Sequence, residues 1–192
     1  DMKIPIARTS LTKEEINSVL EPLKSGWLVQ GPKVQEFEAK WSKFTGAKYS
    51  IAVTSCTTAL HLSLVALGIG PNDEVIVPAF TWISSANVVE HVNAKVVFCD
   101  IDIENFNIDV KKIESKITSK TKAIIPVHLF GLAADMISIK LIAKKYNLKI
   151  IEDAACGFGS RYSEQHVGTF GDTGCFSFHP RKAITTGEGG MI

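Results

Sequence analysis

No two cysteines of the chain stand in a C-x-x-C arrangement; Cys56, Cys99, Cys156 and Cys175 are widely scattered. That spacing suggests neither a zinc clip nor a dense disulfide framework, and reduced thiols fit it best. No metal-ligand set is read from the sequence. Also missing is any uninterrupted apolar run of membrane-spanning length, and the opening DMKIPIARTS has no signal-peptide core, so a soluble cytoplasmic protein is expected. Charge of one sign is missing too. Lys and Arg number 21 against 20 Asp and Glu, a formal net charge of +1, and no block of like charges offers nucleic acid or an acidic membrane a footprint. The chain contains neither G-x-G-x-x-G nor G-x-x-x-x-G-K-[ST], which removes the dinucleotide fingerprint and the Walker loop. Internal repeats, low-complexity tracts and Pro/Gly/Ser-rich linkers are absent as well, so nothing divides the chain into a solenoid or separate modules.

What remains is ordinary globular composition, 45% hydrophobic and 21% charged over 192 residues, enough for one domain with a substantial core. Thr12 to Glu15 read as a capping box, and Ile16, Val19, Leu20 and Leu23 follow at helical spacing. Pro22 and the Lys24-Ser25-Gly26 run are expected to close that helix. The loop SGWLVQGP then leads to a second amphipathic helix carrying Val34, Phe37 and Trp41. From Tyr49 onward, Val- and Ile-rich runs alternate with helical patterns, the mark of an α/β domain with a mostly parallel sheet. Strands are expected near Ser50–Thr54, Glu74–Pro78, Lys95–Asp100, Lys122–Val127, Lys149–Glu152 and Gly174–Phe178. Helices are expected near Thr57–Leu67, Ser84–His91, Val110–Ser115 and Met136–Tyr146. The division is thus an N-terminal helical segment, 1–48, packed on a large three-layer domain, 49–192. The final GEGGMI reads as a strand cut off in the middle, so the expectation is a longer protein whose remainder is missing here.

Ligands of such sheets bind beyond the carboxyl ends of the strands, and that is where the unusual residues fall. Ser55-Cys56-Thr57-Thr58 joins a strand to a helix N-terminus, where free N–H groups and hydroxyls favour a phosphate; capping the helix is the plainer role. Asp153 follows the Lys149–Glu152 strand and precedes two alanines, either as a structural cap or as the partner of a cation. Lys182 follows the last full strand in SFHPRK, ahead of the glycine-rich TTGEGG. It is either a solvated surface charge or an amine placed to condense with a carbonyl cofactor. Together with Trp82, a candidate stacking aromatic, these residues specify one cofactor better than any does alone. Pyridoxal phosphate needs an anchor for its phosphate, an acid for its ring nitrogen and a lysine for its aldehyde.

The runs ALHLSLVALGIGPNDEVIVPAFTW, TKAIIPVHLFGLAADM, IIEDAACGFGS and GDTGCFSFHPRKAITTGEGG, in this order, resemble the DegT/StrS-type nucleotide-sugar aminotransferases, pyridoxal-phosphate enzymes of fold type I. The similarity runs from about Ile4 to the last residue. It implies that Lys182 is the cofactor-linked lysine that shuttles protons during transamination, and that Asp153 faces the pyridinium nitrogen. Thr57 and Thr58 match phosphate-loop positions, Ser177 the serine that also holds the phosphate, and Trp82 the aromatic stacked on the ring. Two positions depart from the family pattern: Cys56 stands for a common loop glycine, and Cys156 for the usual His or Gln beside the ring oxygen. Relatives that dehydrate sugars carry histidine at the lysine position, so Lys182 favours amination. The implied reaction moves an amino group, from glutamate, to a nucleotide-linked keto-sugar for cell-surface polysaccharide or antibiotic sugar biosynthesis. A homodimer and a smaller C-terminal domain, absent from this chain, are implied as well. The alternatives are another fold type I reaction, a dehydratase or lyase, and a truncated non-catalytic α/β binding domain. His128, His179, Glu188 and the loop from Ser25 to Pro32 are further site-edge candidates, each with a plain structural role as its alternative.

Overall fold

The computed structural model describes residues 3–5 and 7–192; of segment 1–48, residues 1, 2 and 6 lie outside the described residues. The chain opens with two helices, α1 (Lys13–Ser25) and α2 (Pro32–Thr45). Thr12 caps α1 through the expected reciprocal box, its Oγ1 accepting from Glu15 N–H at 3.2 Å while the Glu15 carboxylate accepts from Thr12 N–H at 2.6 Å. Pro22 does not end α1. The helix runs through it to Ser25 and stops at Gly26, whose φ of 73° is the left-handed cap that a residue without a Cβ adopts easily. The apolar stripe of α1 stays in the open, with Ile16, Val19, Leu20 and Leu23 all exposed.

The α/β alternation then follows: β1 (Ala52–Val53), α3 (Cys56–Ala66), β2 (Glu74–Pro78), α4 (Ser84–His91), β3 (Lys95–Cys99), α5 (Val110–Ile113), β4 (Thr121–Ile124), α6 (Met136–Tyr146) and β5 (Lys149–Asp153). A small hairpin, β6 (Arg161–Tyr162) and β7 (Gln165–His166), precedes β8 (Thr173–Ser177) and β9 (Gly190–Met191). Among the described residues the main sheet has seven strands, in the order β1-β9-β8-β5-β4-β2-β3. Its run from β8 to β3 is parallel, while β9 pairs antiparallel with both β8 and β1. GEGGMI does therefore enter a strand.

The sheet is covered on both faces because its strands alternate between two cores. Val75 and Val77 of β2 join Leu60 and Leu64 of α3 and Val88 and Val89 of α4 in one cluster. Ile76, between them, joins Met136, Ile139 and Ala143 of α6 on the other side. A third cluster packs Trp41 of α2 on Phe176, Phe178 and Met191, with Trp41 edge-on to Phe178 at 5.0 Å between centroids. The sheet between its two sets of helices makes the three layers, and Trp41 fastens α2 to β8 and β9.

Most expected elements are found with shifted ends. The expected Val110–Ser115 helix divides into α5 and a 3-10 turn at Glu114–Lys116, and the expected Gly174–Phe178 strand sits one residue earlier. The 161–166 hairpin and the β1–β9 pairing had no counterpart in the sequence reading. Among the described residues no helix is long and apolar enough to cross a membrane. All four cysteines are free thiols, with only Cys156 exposed.

Gly190 lets β9 approach the turn before α3. A Cβ there would lie 2.5 Å from the Ser55 carbonyl carbon and 2.7 Å from Cys56 N, backbone atoms that cannot swing aside. Gly190→Ala is expected to destabilise the protein by about 1–3 kcal/mol, as overpacking does. Its urea midpoint should fall at unchanged slope; an unmoved midpoint would show that the turn has slack.

Candidate active site

Five chain segments, those after β1, β2, β5 and β8 and the stretch 127–129 after β4, converge at the carboxyl edge of the sheet, as its topology requires of a binding crevice. They line one cleft of ≈ 450 Å³, within the range of about 300–1,000 Å³ usual for small-molecule sites. From β1 into α3 come Ser55, Cys56 and Thr57; from β2 into α4 come Thr81, Trp82 and Ser84. The end of β5 supplies Asp153, Ala155 and Cys156, and the end of β8 supplies Ser177, His179, Arg181 and Lys182. Trp82 is 75% exposed and forms part of the rim.

The N-terminus of α3 is ordered by its own hydroxyls. Ser55 Oγ accepts from Thr58 N–H at 3.1 Å, leaving the first-turn N–H groups of Cys56 and Thr57 without a carbonyl one turn earlier. Thr57 Oγ1 donates to Ser84 Oγ at 3.0 Å, tying α3 to α4. Thr58 is placed differently from its neighbours: its hydroxyl is shared with Thr54 at 2.9 Å and Ser55 at 3.0 Å, and it is not among the cleft-lining residues. The helix-capping role of Ser55 and the exposure of N–H groups to an anion are thus compatible.

Asp153 is 4% exposed and held on both oxygens. Oδ1 accepts from Ala155 N–H at 3.1 Å and lies 3.9 Å from Cys56 Sγ; Oδ2 accepts from Ser85 Oγ at 2.7 Å. Burial, with the neighbouring Asp153 carboxylate adding to it, pushes the Cys56 thiol well above its ordinary range, so sulfur there is a protonated donor and no nucleophile. Ser85 is completely buried and was not among the expected residues.

Lys182 sits in the loop that joins β8 to β9. Its N–H donates to His179 O at 2.8 Å, and Phe178 fixes the loop at three points, through Gly189 O, Thr186 N and Thr185 Oγ1. Lys182 Nζ donates to Cys156 Sγ at 3.1 Å. His179 Nδ1 is occupied by the Arg181 N–H at 3.2 Å. Glu188 lines the cleft, whereas the loop from Ser25 to Pro32 does not.

His128 has no free ring nitrogen. Its Nδ1 accepts from Ala134 N–H at 3.1 Å, so the ring proton is on Nε2 and donates to Glu152 Oε2 at 2.9 Å. Glu152 also accepts from the N–H groups of Gly168, Phe170 and Gly171. This fully buried carboxylate clamps the turn before β8 to β5, whose register places Asp153 opposite Cys175, two residues before Ser177. Neither Glu152 nor Ser85 was singled out from the sequence. The acidic pair Glu152-Asp153 at a strand end was the available signal, because alternation sends its two members to opposite faces.

With this geometry in view, the likenesses to known proteins have a structural meaning. The chain is 48% identical over 190 residues to the GDP-perosamine synthase of Escherichia coli O157:H7, covering 98% of this chain and 52% of that protein. It is 47% identical over 189 residues to the spore coat polysaccharide biosynthesis protein SpsC of Bacillus subtilis, covering 98% of this chain and 49% of the relative. Among solved structures, the PLP form of a Streptococcus pneumoniae protein assigned as a sugar aminotransferase superposes with a TM-score of 0.94 at 38% identity, over 99% of this chain and 52% of that one. The chain spans about half the length of the curated relatives it matches. Residues 9–192 match the description of one family throughout, and the chain belongs to the DegT/DnrJ/EryC1/StrS aminotransferase family.

Proposed function

We propose that the protein is a pyridoxal-phosphate-dependent sugar aminotransferase, and that residues 49–192 form its cofactor-binding domain with the helical segment 1–48 packed against it. The observation that carries this reading is the meeting of Lys182, Asp153, Ser177 and the α3 N-terminus in a single cleft. The donor set fits the cofactor. The cleft offers helix N–H groups that the first turn leaves unpaired and two hydroxyls for a phosphate, a buried carboxylate for a ring N–H, an amine for an aldehyde and an indole at the rim.

When bound, pyridoxal phosphate supplies an aldehyde that condenses with amines and a protonated ring that withdraws electrons from them. The residues of the chain do the rest. The first turn of α3, with Thr57 and Ser177, would hold the phosphate, and Thr58 would act behind them by fixing Ser55 and Thr54. Asp153, its orientation set by its own hydrogen bonds, would keep the ring nitrogen protonated, and Trp82 would cover the ring. Lys182 Nζ would take and return the proton that moves in each half of the reaction. Cys56 and Cys156 would complete the walls, Cys156 through its contact with the Lys182 amine.

Glutamate as amino donor, a nucleotide-linked keto-sugar as acceptor, a homodimer and a cytoplasmic location complete the proposal, for a role in polysaccharide or antibiotic sugar biosynthesis. The GDP-perosamine synthase and spore coat polysaccharide relatives support the sugar. The test is the absorbance spectrum of the full-length protein loaded with pyridoxal phosphate. Glutamate should convert the bound cofactor to its amine form, and a nucleotide-linked keto-sugar should restore the starting spectrum. A protein that takes up no cofactor, or whose loaded form ignores every amino donor, would overturn the reading.

A further inference from the structure

Ser85 stands in the first turn of α4, completely buried, with its Oγ 2.7 Å from Asp153 Oδ2 and 3.1 Å from the Trp82 carbonyl oxygen. A serine hydroxyl has one proton, and the shorter, charged acceptor takes it. Thr81 Oγ1, 3.0 Å from Ser85 Oγ, then donates into the lone pair that remains. The result is a directed chain from Thr81 to Ser85 to Asp153. The other carboxylate oxygen is fixed from the opposite side by the Ala155 N–H and by Cys56 Sγ. Ser85 belongs to a different element, 68 residues away in sequence, so its bond adds to the local one from Ala155 a second, independent restraint on the carboxylate plane. The contact therefore also fixes α4, and with it Trp82 and Ser84, relative to β5.

We propose that Ser85 is a positioning residue: its hydroxyl sets the plane of the Asp153 carboxylate so that the acid meets the cofactor ring nitrogen in one orientation, and Thr81 sets Ser85. The inference rests on the pyridoxal-phosphate reading of the cleft. It adds to that reading a residue that never touches the cofactor but governs the acid that does.

The test is a double-mutant cycle on the full-length protein, read by the dissociation constant for pyridoxal phosphate and by the absorbance maximum of the bound cofactor across pH. Ser85→Ala should weaken cofactor binding about tenfold, the effect of losing one hydrogen bond to a charged group, and should shift the pH dependence of the spectrum. In the Asp153→Asn background the same change should have little further effect, because Ser85 acts only through the carboxylate. Thr81→Val should move both readouts in the same direction by less, and it decides the matter should Ser85→Ala fail to fold. Wild-type affinity and spectrum in Ser85→Ala would overturn the proposal. So would an equal loss in both backgrounds, which marks a purely structural serine. A wild-type protein that binds no pyridoxal phosphate would instead remove the reading on which this rests.

Discussion

A Lys182→Ala variant of the full-length protein is expected to lose every trace of borohydride-fixed cofactor and to transfer amino groups about 10³–10⁴-fold more slowly, the upper part of the range for a positioned acid–base group. Two independent roles fall together here, the amine that links to the cofactor and the base that moves the proton. Lys182→Arg should do no better, because a guanidinium stays protonated and cannot act as a nucleophile. The loss should be chemical and not structural. The loop carrying Lys182 is held by Phe178 through backbone groups and Thr185, and the lysine side chain contributes only the 3.1 Å contact to Cys156. Thermal unfolding of the cofactor-free variant should therefore match that of the parent protein. Peptide mapping after borohydride reduction of the parent should place the label on Lys182. A label that persists in Lys182→Ala, on any other lysine, would move the catalytic centre elsewhere and overturn the assignment.

Much of this arrangement is legible in the chain because local signals mark where elements begin and end. The helix Met136–Tyr146 has Asp135 as its cap, accepting from Ser138 N–H, and Asn147 in the left-handed conformation after it, so both ends are written in residue types that serve those roles. The strand Glu74–Pro78 follows the turn formers Pro71, Asn72 and Asp73, and every residue in it is buried. Pro22 misled because proline usually breaks a helix interior, yet α1, which has no buried residue, continues past it for three residues to Ser25. The hairpin at 161–166 was missed for the opposite reason, since two-residue strands are too short to show alternation. Within the site, Lys182 and Asp153 are each ambiguous by residue type, and only their placement after strands together with the α3 N-terminus and Trp82 marks them. Thr58 shows the limit of such reading: it lies one residue from Thr57, but the turn of the helix takes its hydroxyl back to Thr54 and Ser55. Ser85 is invisible in the sequence because its importance lies in a partner 68 residues away, and for Glu152 the acidic pair at a strand end is a signal that does not name the partners.

Glu152 gives that hidden layer its strongest test. Replacing it with glutamine, nearly the same shape, is expected to destabilise the protein by about 3–5 kcal/mol, the cost of leaving buried donors unpaired at a once-charged site. The carboxylate has two oxygens and four donors: Phe170 and Gly171 N–H on Oε1 at 2.6 and 2.7 Å, Gly168 N–H and His128 Nε2 on Oε2 at 2.7 and 2.9 Å. An amide can offer oxygen to only one of these pairs. Whichever way it turns, its NH₂ group faces the other pair, donor against donor, in a place with no solvent to relieve it. The imidazole cannot help, since its Nδ1 is already used by Ala134 N–H and a flip would break that bond as well. Glu152→Asp keeps the charge but is one methylene shorter, so it should reach one pair of donors and fall between the parent and Glu152→Gln. Urea unfolding of the three proteins checks the order, and a Glu152→Gln midpoint equal to the parent's would show that the 168–171 turn holds itself. Because that turn leads directly into β8, the loss should extend to the site. Ser177 and the Lys182 loop would no longer be registered against Asp153, and cofactor affinity should fall along with stability even though Glu152 lines no part of the cleft.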